Sequence, residues 1–373
     1  MKKESGNTLK RSLLSVLVTS ALCTPHAMAA FTPSVPNGET VTGEVVENGG
    51  QFVYGTASDT IINDGGYQEV EYGGTASDTI INNGGSQVVS NGGSASVTTI
   101  NDGGTLDVRQ GGSATGVQQN TGAALKATTH AETTVSGTNE FGEFFIENGR
   151  AENILLENGG KLIVVDASTA TGTVIRDGGV QDVFSGWATG TTIDNGGKQN
   201  VYGGGTASNT IINNGGSQAV YGTASNTIIN NGGKQTVSAG AEVTDTTIDG
   251  GEQEVSGRAT GTTIDNGGKQ TVSASAEVTD TTINSGEQVV NGRASDTTIN
   301  NGGKQTVSAG AEVTDTTING GEQEVNGRAS DTTINNGGKQ TVSAGAEVTD
   351  TTIDGGEQEV SGRATGTTVN NGG

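Results

Sequence analysis

The chain has 373 residues and a formal charge of −23, from 18 Lys and Arg against 41 Asp and Glu. Hydrophobic residues make up 30%, aromatics 3%, and 64 positions are glycine, which excludes a bulky conventional core and by composition alone would suit a disordered polymer. The acidic balance disfavours nucleic acid and anionic lipid as direct partners.

Residues 1–29 read as a secretory signal peptide. Lys2, Lys3, Lys10 and Arg11 give a positive start, Leu13 to Cys23 an apolar run, and Ala27 and Ala29 a small-residue cleavage site before Ala30. The apolar run is too short for a spanning helix. The single cysteine, Cys23, lies within it, so the exported chain carries no disulfide. Residues 30–46, with Pro33 and Pro36, are expected as an N-terminal cap over an exposed sheet edge. Repeats fill 47–112, beginning with Asn48-Gly49-Gly50-Gln51-Phe52-Val53. Through 113–158 the Gly-Gly markers vanish and Phe141, Phe144 and Phe145 appear. Longer coils with a heavier aromatic core, or a small hairpin excursion, are expected there. Regular repeats resume over 159–373, and the chain stops at Gly373 inside a coil, which reads as a C-terminal truncation.

The regular part sets the architecture. Ile248, Ile283, Ile318 and Ile353 recur every 35 residues, and Ile264, Ile299 and Ile334 divide each unit into steps of 16 and 19. A short fixed period marks a solenoid, whose repeats bury their apolar faces by stacking. The runs between turns are too short for helices and rich in Thr, Val and Ile, which favour strands. In Lys234-Gln235-Thr236-Val237-Ser238 alternation puts Gln235 and Val237 on the inner face. Turns such as Asn300-Asn301-Gly302-Gly303 hold residues that tolerate positive φ. The expected fold is all-β, a right-handed parallel β-helix of roughly 18 coils, about 90 Å long at ~4.8 Å per coil.

Charge alternates along the stack. The residue after each turn runs Lys234, Glu252, Lys269, Glu287, Lys304, Glu322, Lys339, Glu357. A second series runs Glu242, Arg258, Glu277, Arg293, Glu312, Arg328, Glu347, Arg363. In register, these would form ladders of opposite charge that fix the pairing of coils. Thr246, Thr281, Thr316 and Thr351 are expected as an ordered hydroxyl row on an outer interaction face.

Leu106-Asp107-Val108-Arg109, Gly112 to Gln119, Gly122-Ala123-Ala124-Leu125 and Asn153 to Gly160, with the many G-G-x-Q-x-V and T-A-S-x-T-I-I-N-N-G-G units, resemble passenger domains of AIDA-type self-associating autotransporters, including the antigen-43 class. That resemblance implies a Gram-negative surface protein displayed through its own outer-membrane β-barrel, which this sequence does not include. It implies cell aggregation, biofilm formation and adhesion, in some members with heptose on Ser and Thr. Expected partners are other copies of the passenger and host glycans or matrix proteins. Many weak contacts along a rod add by avidity.

An exported β-helix that binds or cleaves polysaccharide is the competing class. Beyond the signal segment the only histidine is His130, in a Thr-rich run, and no G-x-S-x-G segment occurs. Asp and Glu recur along the repeats rather than gathering once. The turns lack the spacing of calcium-binding β-rolls, and Gly233-Lys234 is followed by Gln235 where a phosphate loop needs Ser or Thr. No catalytic residue, metal or cofactor is expected.

Overall fold

Runs of two to eight strand residues, interrupted by turns rich in Gly, Asn, Asp and Ser, leave no room for a helix, and none occurs among the described residues. The structure is a computed structural model that describes residues 31–370, 372 and 373; the export segment with Ala27, Ala29 and Ala30 lies outside them. Strands of the x-Q-x-V type, such as Lys234–Val237, stack in parallel into an 18-stranded sheet. Each coil also gives strands such as Glu242–Thr244 and Thr247–Asp249 to a second sheet of 34 strands. The result is a parallel β-helix.

Of the segment 30–46, expected as a cap, the described residues 31–46 are wound as the first coil. Ser34–Val35 pairs in parallel with Phe52 and Val53, and Thr40–Thr42 with Thr56–Ser58. At the turns, Gly302 has φ 86°, and a Cβ on Gly303 would meet the Ile283 carbonyl oxygen at 2.4 Å. The second glycine is therefore needed for the close approach of successive coils.

A polar ladder runs inside the rod. Each inward Gln donates its Nε2–H to the Oε1 of the Gln one coil earlier, at 2.6–2.7 Å, unbroken from Gln358 back to Gln181. A shorter ladder runs from Gln87 through Gln68 to Gln51, whose amide ends on the Glu44 carboxylate. All the amides point one way, so the bonds polarise one another; the donor end of the short ladder is capped by a negative group, and that of the long ladder by the Thr173 hydroxyl. Apolar columns flank the ladder: Val237, Val255 and Val272 on one wall, Ile248, Ile264 and Ile283 on another.

Within the region 113–158 the chain departs from this pattern as an antiparallel ribbon. Thr134–Asn139 pairs with Gly142–Glu147, which pairs with Arg150–Glu152. Phe144 is buried, whereas Phe141 is exposed. Across the ribbon the coils change phase. Val89, Val108 and Ala127 form the second inward column of the first sheet, yet Ala127 pairs with Leu162, which pairs with Gln181 of the first inward column above. A slip of two residues leaves every inward side chain inward, because alternation has period two.

Between the two strands that each coil gives to the second sheet sits a corner residue in the left-handed region. Asp78 has φ 53°, Val97 54° and Gly116 66° on successive coils. Asp, Asn and Gly tolerate that conformation, whereas a β-branched side chain is strained by about 1–2 kcal/mol. Val97 is also 54% exposed and loses little burial on replacement. Val97→Asn is therefore expected to stabilise the chain by about 1 kcal/mol, read as a raised urea midpoint.

Candidate functional site

The rod's function must reside on its outward rows, and the threonine row expected there is inside. Thr246, Thr281, Thr316 and Thr351 are each 1% exposed. Ile248 faces the core, so alternation turns Thr246 inward and leaves Thr247 outside. Two of the hydroxyls serve the amide ladder: Thr281 accepts from Gln288 at 3.2 Å and Thr351 from Gln358 at 3.3 Å. The Thr246 and Thr316 hydroxyls have no hydrogen-bond partner among the described residues.

The charged series do lie in vertical register. Lys234, Glu252, Lys269, Glu287, Lys304, Glu322, Lys339 and Glu357 are successive Cα partners. The ammonium groups divide their contacts. Lys269 reaches Glu287 at 3.6 Å and Lys339 reaches Glu357 at 3.9 Å. Lys234 instead meets Glu254 at 2.7 Å, Lys304 meets Glu324 at 3.5 Å, and Lys339 also meets Glu359 at 3.4 Å. Sequence reasoning missed these second carboxylates, although the E-Q-E spelling puts both on one face two residues apart. In the second series, Arg293 meets Glu312 at 3.1 Å and Glu347 takes Arg328 at 3.5 Å and Arg363 at 3.1 Å. Exposed pairs of this kind contribute about 0–1 kcal/mol each.

One rim of the rod does the opposite. Asp280, Asp296, Asp315, Asp331 and Asp350 share φ values of 53–54° at the same corner of five consecutive coils, all exposed. The left-handed corner selects Asp, and the short repeat stacks like charges about 4.8 Å apart. This rim repels any similar surface.

A different surface lies on the coils below. From Gln199 to Gly233 the chain has no Asp, Glu, Lys, Arg or His. An aromatic stack runs from the preceding coil into this zone. The Phe184 and Tyr202 rings lie 4.4 Å apart and nearly parallel, and Tyr202 and Tyr221 are 5.7 Å apart. Phe184 is 39% exposed, Trp187 47% and Tyr221 50%. Trp187 stands between Thr169 and Thr206 on neighbouring coils. The stack forms because the residue following the inward Val on three consecutive coils is aromatic.

His130 places its Nε2 3.0 Å from the Gln110 amide and 4.0 Å from an Asp166 carboxylate oxygen. Among the described residues no group of His, Cys, Asp and Glu gathers as a metal site.

Known proteins of one kind are similar to this chain. A family model described as "Adhesin of bacterial autotransporter system, probable stalk" matches residues 33–85, 72–123, 136–197, 185–232, 220–268, 288–338 and 325–373. The chain is 45% identical over 62 residues to the "Probable autotransporter YpjA" of Escherichia coli K12, a match covering 16% of this chain and 4% of that protein. It is 48% identical over 58 residues to the "Autotransporter adhesin/invasin TibA" of Escherichia coli O78:H11, covering 16% of this chain and 6% of that one. The matches thus span only a small part of either relative. The crystal structure of a TibC-catalysed, hyper-glycosylated TibA fragment is similar at 33% identity and TM-score 0.45, over 89% of this chain and 97% of the fragment. With family-model matches across most of its length, the chain belongs to the AIDA family, the adhesin stalks of bacterial autotransporters.

Proposed function

We propose that the chain is the self-associating stalk of an exported surface adhesin, and that copies meet through the uncharged aromatic band. The observation that carries this reading is the band itself: 35 residues, Gln199 to Gly233, without charge in a chain of net charge −23. Two such rods repel at long range, and most strongly where the aspartate rim faces a copy of itself. Repulsion is weakest at the band, and an uncharged patch is complementary to itself across a two-fold axis, as a symmetric contact requires. Trp187, on the coil that stacks beneath the uncharged stretch, and Tyr221 within it supply large, half-exposed rings that lose water on contact. Between cells, many such contacts of modest strength add by avidity.

The experiment is sedimentation of the purified chain, paired with settling of cells that display it. Association is expected to strengthen as salt screens the repulsion. Trp187→Ser with Tyr221→Ser is expected to leave the rod folded and monomeric and the cells in suspension. Unchanged association of the double variant removes the band from the account, and a monomeric parent at every salt concentration removes self-association.

A further inference from the structure

The two-residue slip across the antiparallel ribbon has a consequence on the outer surface. On the outward column beside it, Asp107 is opposite Lys126, Lys126 is opposite Lys161, and Lys161 is opposite Val180. In the most regular repeats each Lys of this column is stacked between carboxylate-bearing neighbours, as Lys269 is between Glu252 and Glu287 and Lys304 between Glu287 and Glu322. At the slip two ammonium side chains occupy adjacent rungs, about 4.8 Å apart at the backbone. Like charges at directly opposed positions are unfavourable in the absence of a counter-charge.

A concavity of about 320 Å³ opens there, at the lower end of the usual range for small-molecule sites, about 300–1,000 Å³. Its outward apolar side chain is Ile163, since Val108 and Ala127 point into the core, and Gln110 and Thr128 add neutral polar groups. Arg109, Lys126 and Lys161 bring three cationic side chains to it, with Asp107 as the one carboxylate. Two of the cations are already engaged on their far sides: Arg109 with Glu69 at 2.8 Å and Lys161 with Asp182 at 2.7 Å. Lys126 forms no ion pair among the described residues. Burial pushes the Asp107 carboxyl above its ordinary range, against the pull of Arg109 and Lys126. One cation, flanked by a second and set over an apolar floor, is thus open to an external anion.

We propose that this dish binds a carboxylated sugar, with the carboxylate between Lys126 and Lys161 and the ring lying against Ile163. A ring with apolar faces and hydroxyl edges matches an apolar floor rimmed by an amide and a hydroxyl, whereas a bare inorganic anion makes no use of the floor. The site lies on coils that precede the aromatic band and is independent of self-association.

The test is titration of the purified chain with a glucuronate-terminated and a sialic-acid-terminated disaccharide, their neutral counterparts, and sulfate. The two acidic arms decide which source of the carboxylate fits. Binding of at least one acidic sugar is expected, falling at least tenfold in Lys126→Met, which keeps the aliphatic stem and removes the charge, and falling also in Ile163→Ser. Equal binding of the neutral sugar, binding of sulfate as tight as that of the acidic sugars, unchanged binding by Lys126→Met, or no binding by any acidic sugar overturns the proposal. If Lys126→Met disturbs the fold, the unaltered chain still decides the matter. The bound sugar should protect Lys126 from amine acetylation while Lys304 stays reactive; equal modification of both contradicts the site.

Discussion

Replacing Gln288 by Glu is expected to destabilise the rod by about 3–5 kcal/mol at neutral pH, more than any surface charge substitution. Gln288 is fully buried. Its Nε2–H donates to Gln270 at 2.7 Å and to Thr281 at 3.2 Å, and its Oε1 accepts from Gln305 at 2.7 Å. A carboxylate in its place keeps the acceptor, loses both donations, and faces the Gln270 carbonyl oxygen with a second negative oxygen. Burial without a counter-ion raises the folded-state pKa of such a group above its unfolded value of about 4.3. The sign follows: the penalty is small below the unfolded pKa, where both states are protonated, grows as pH rises above it, and levels off once pH passes the folded pKa. Thermal unfolding of parent and variant should therefore nearly coincide at pH 4 and separate widely at pH 7. A separation that does not depend on pH would mean that the new group is solvated and the ladder is not interior.

Arg176→Ala is the second large effect, expected at about 2–4 kcal/mol. The Arg176 Nε donates to Glu157 at 2.8 Å, its Nη1 lies 2.7 Å from a Glu140 oxygen, and its guanidinium sits 6.0 Å from the centre of the Phe141 ring. One side chain thus ties the tip of the antiparallel ribbon to the coil beside it. Glu157 is only 2% exposed, and without Arg176 its remaining partner among the described hydrogen bonds is the Gly122 N–H, at 2.6 Å. The loss is mainly that of a buried charge left unneutralised. Adding Glu157→Gln to the Arg176→Ala variant should accordingly recover much of the stability. Hydrogen exchange of Gly142–Glu147 should quicken in the single variant. Arg176 also holds the Glu140 carboxyl below its ordinary range by donating to it. That contribution is present above the unfolded carboxylate pKa and is lost as pH falls through the folded one.

The regular coils were legible because two periods coincide in them. The 35-residue recurrence specifies stacking, and the inward Gln and Val of Lys234–Val237 follow from alternation alone. The register of Lys304 with Glu287 and Glu322 follows from the same letters. The interior role of Thr246 was equally written, since it stands two residues from the inward Ile248; treating the Thr-Thr pair as one outer face overlooks that alternation. Other features needed coordinates. The slip at Ala127 and Leu162 is hidden because G-x-x-L spellings on both sides of the ribbon suggest Leu125 opposite Leu162. The aromatic stack is visible only once coil lengths bring Phe184, Tyr202 and Tyr221 one above another.

The physical claim on which the site assignments rest is that the whole length from Ser34 to Val369 is one stack of coils. Small-angle X-ray scattering of the dilute, monomeric chain tests it most directly. Eighteen coils rising about 4.8 Å each give a rod about 90 Å long, with a radius of gyration of roughly 27 Å. A compact globule of the same length would give roughly 21 Å. A rod-like pair-distance distribution ending beyond about 90 Å is the result expected. A symmetric distribution with the smaller radius would contradict the stacked rod, and with it the aromatic band and the cationic dish placed along its sides.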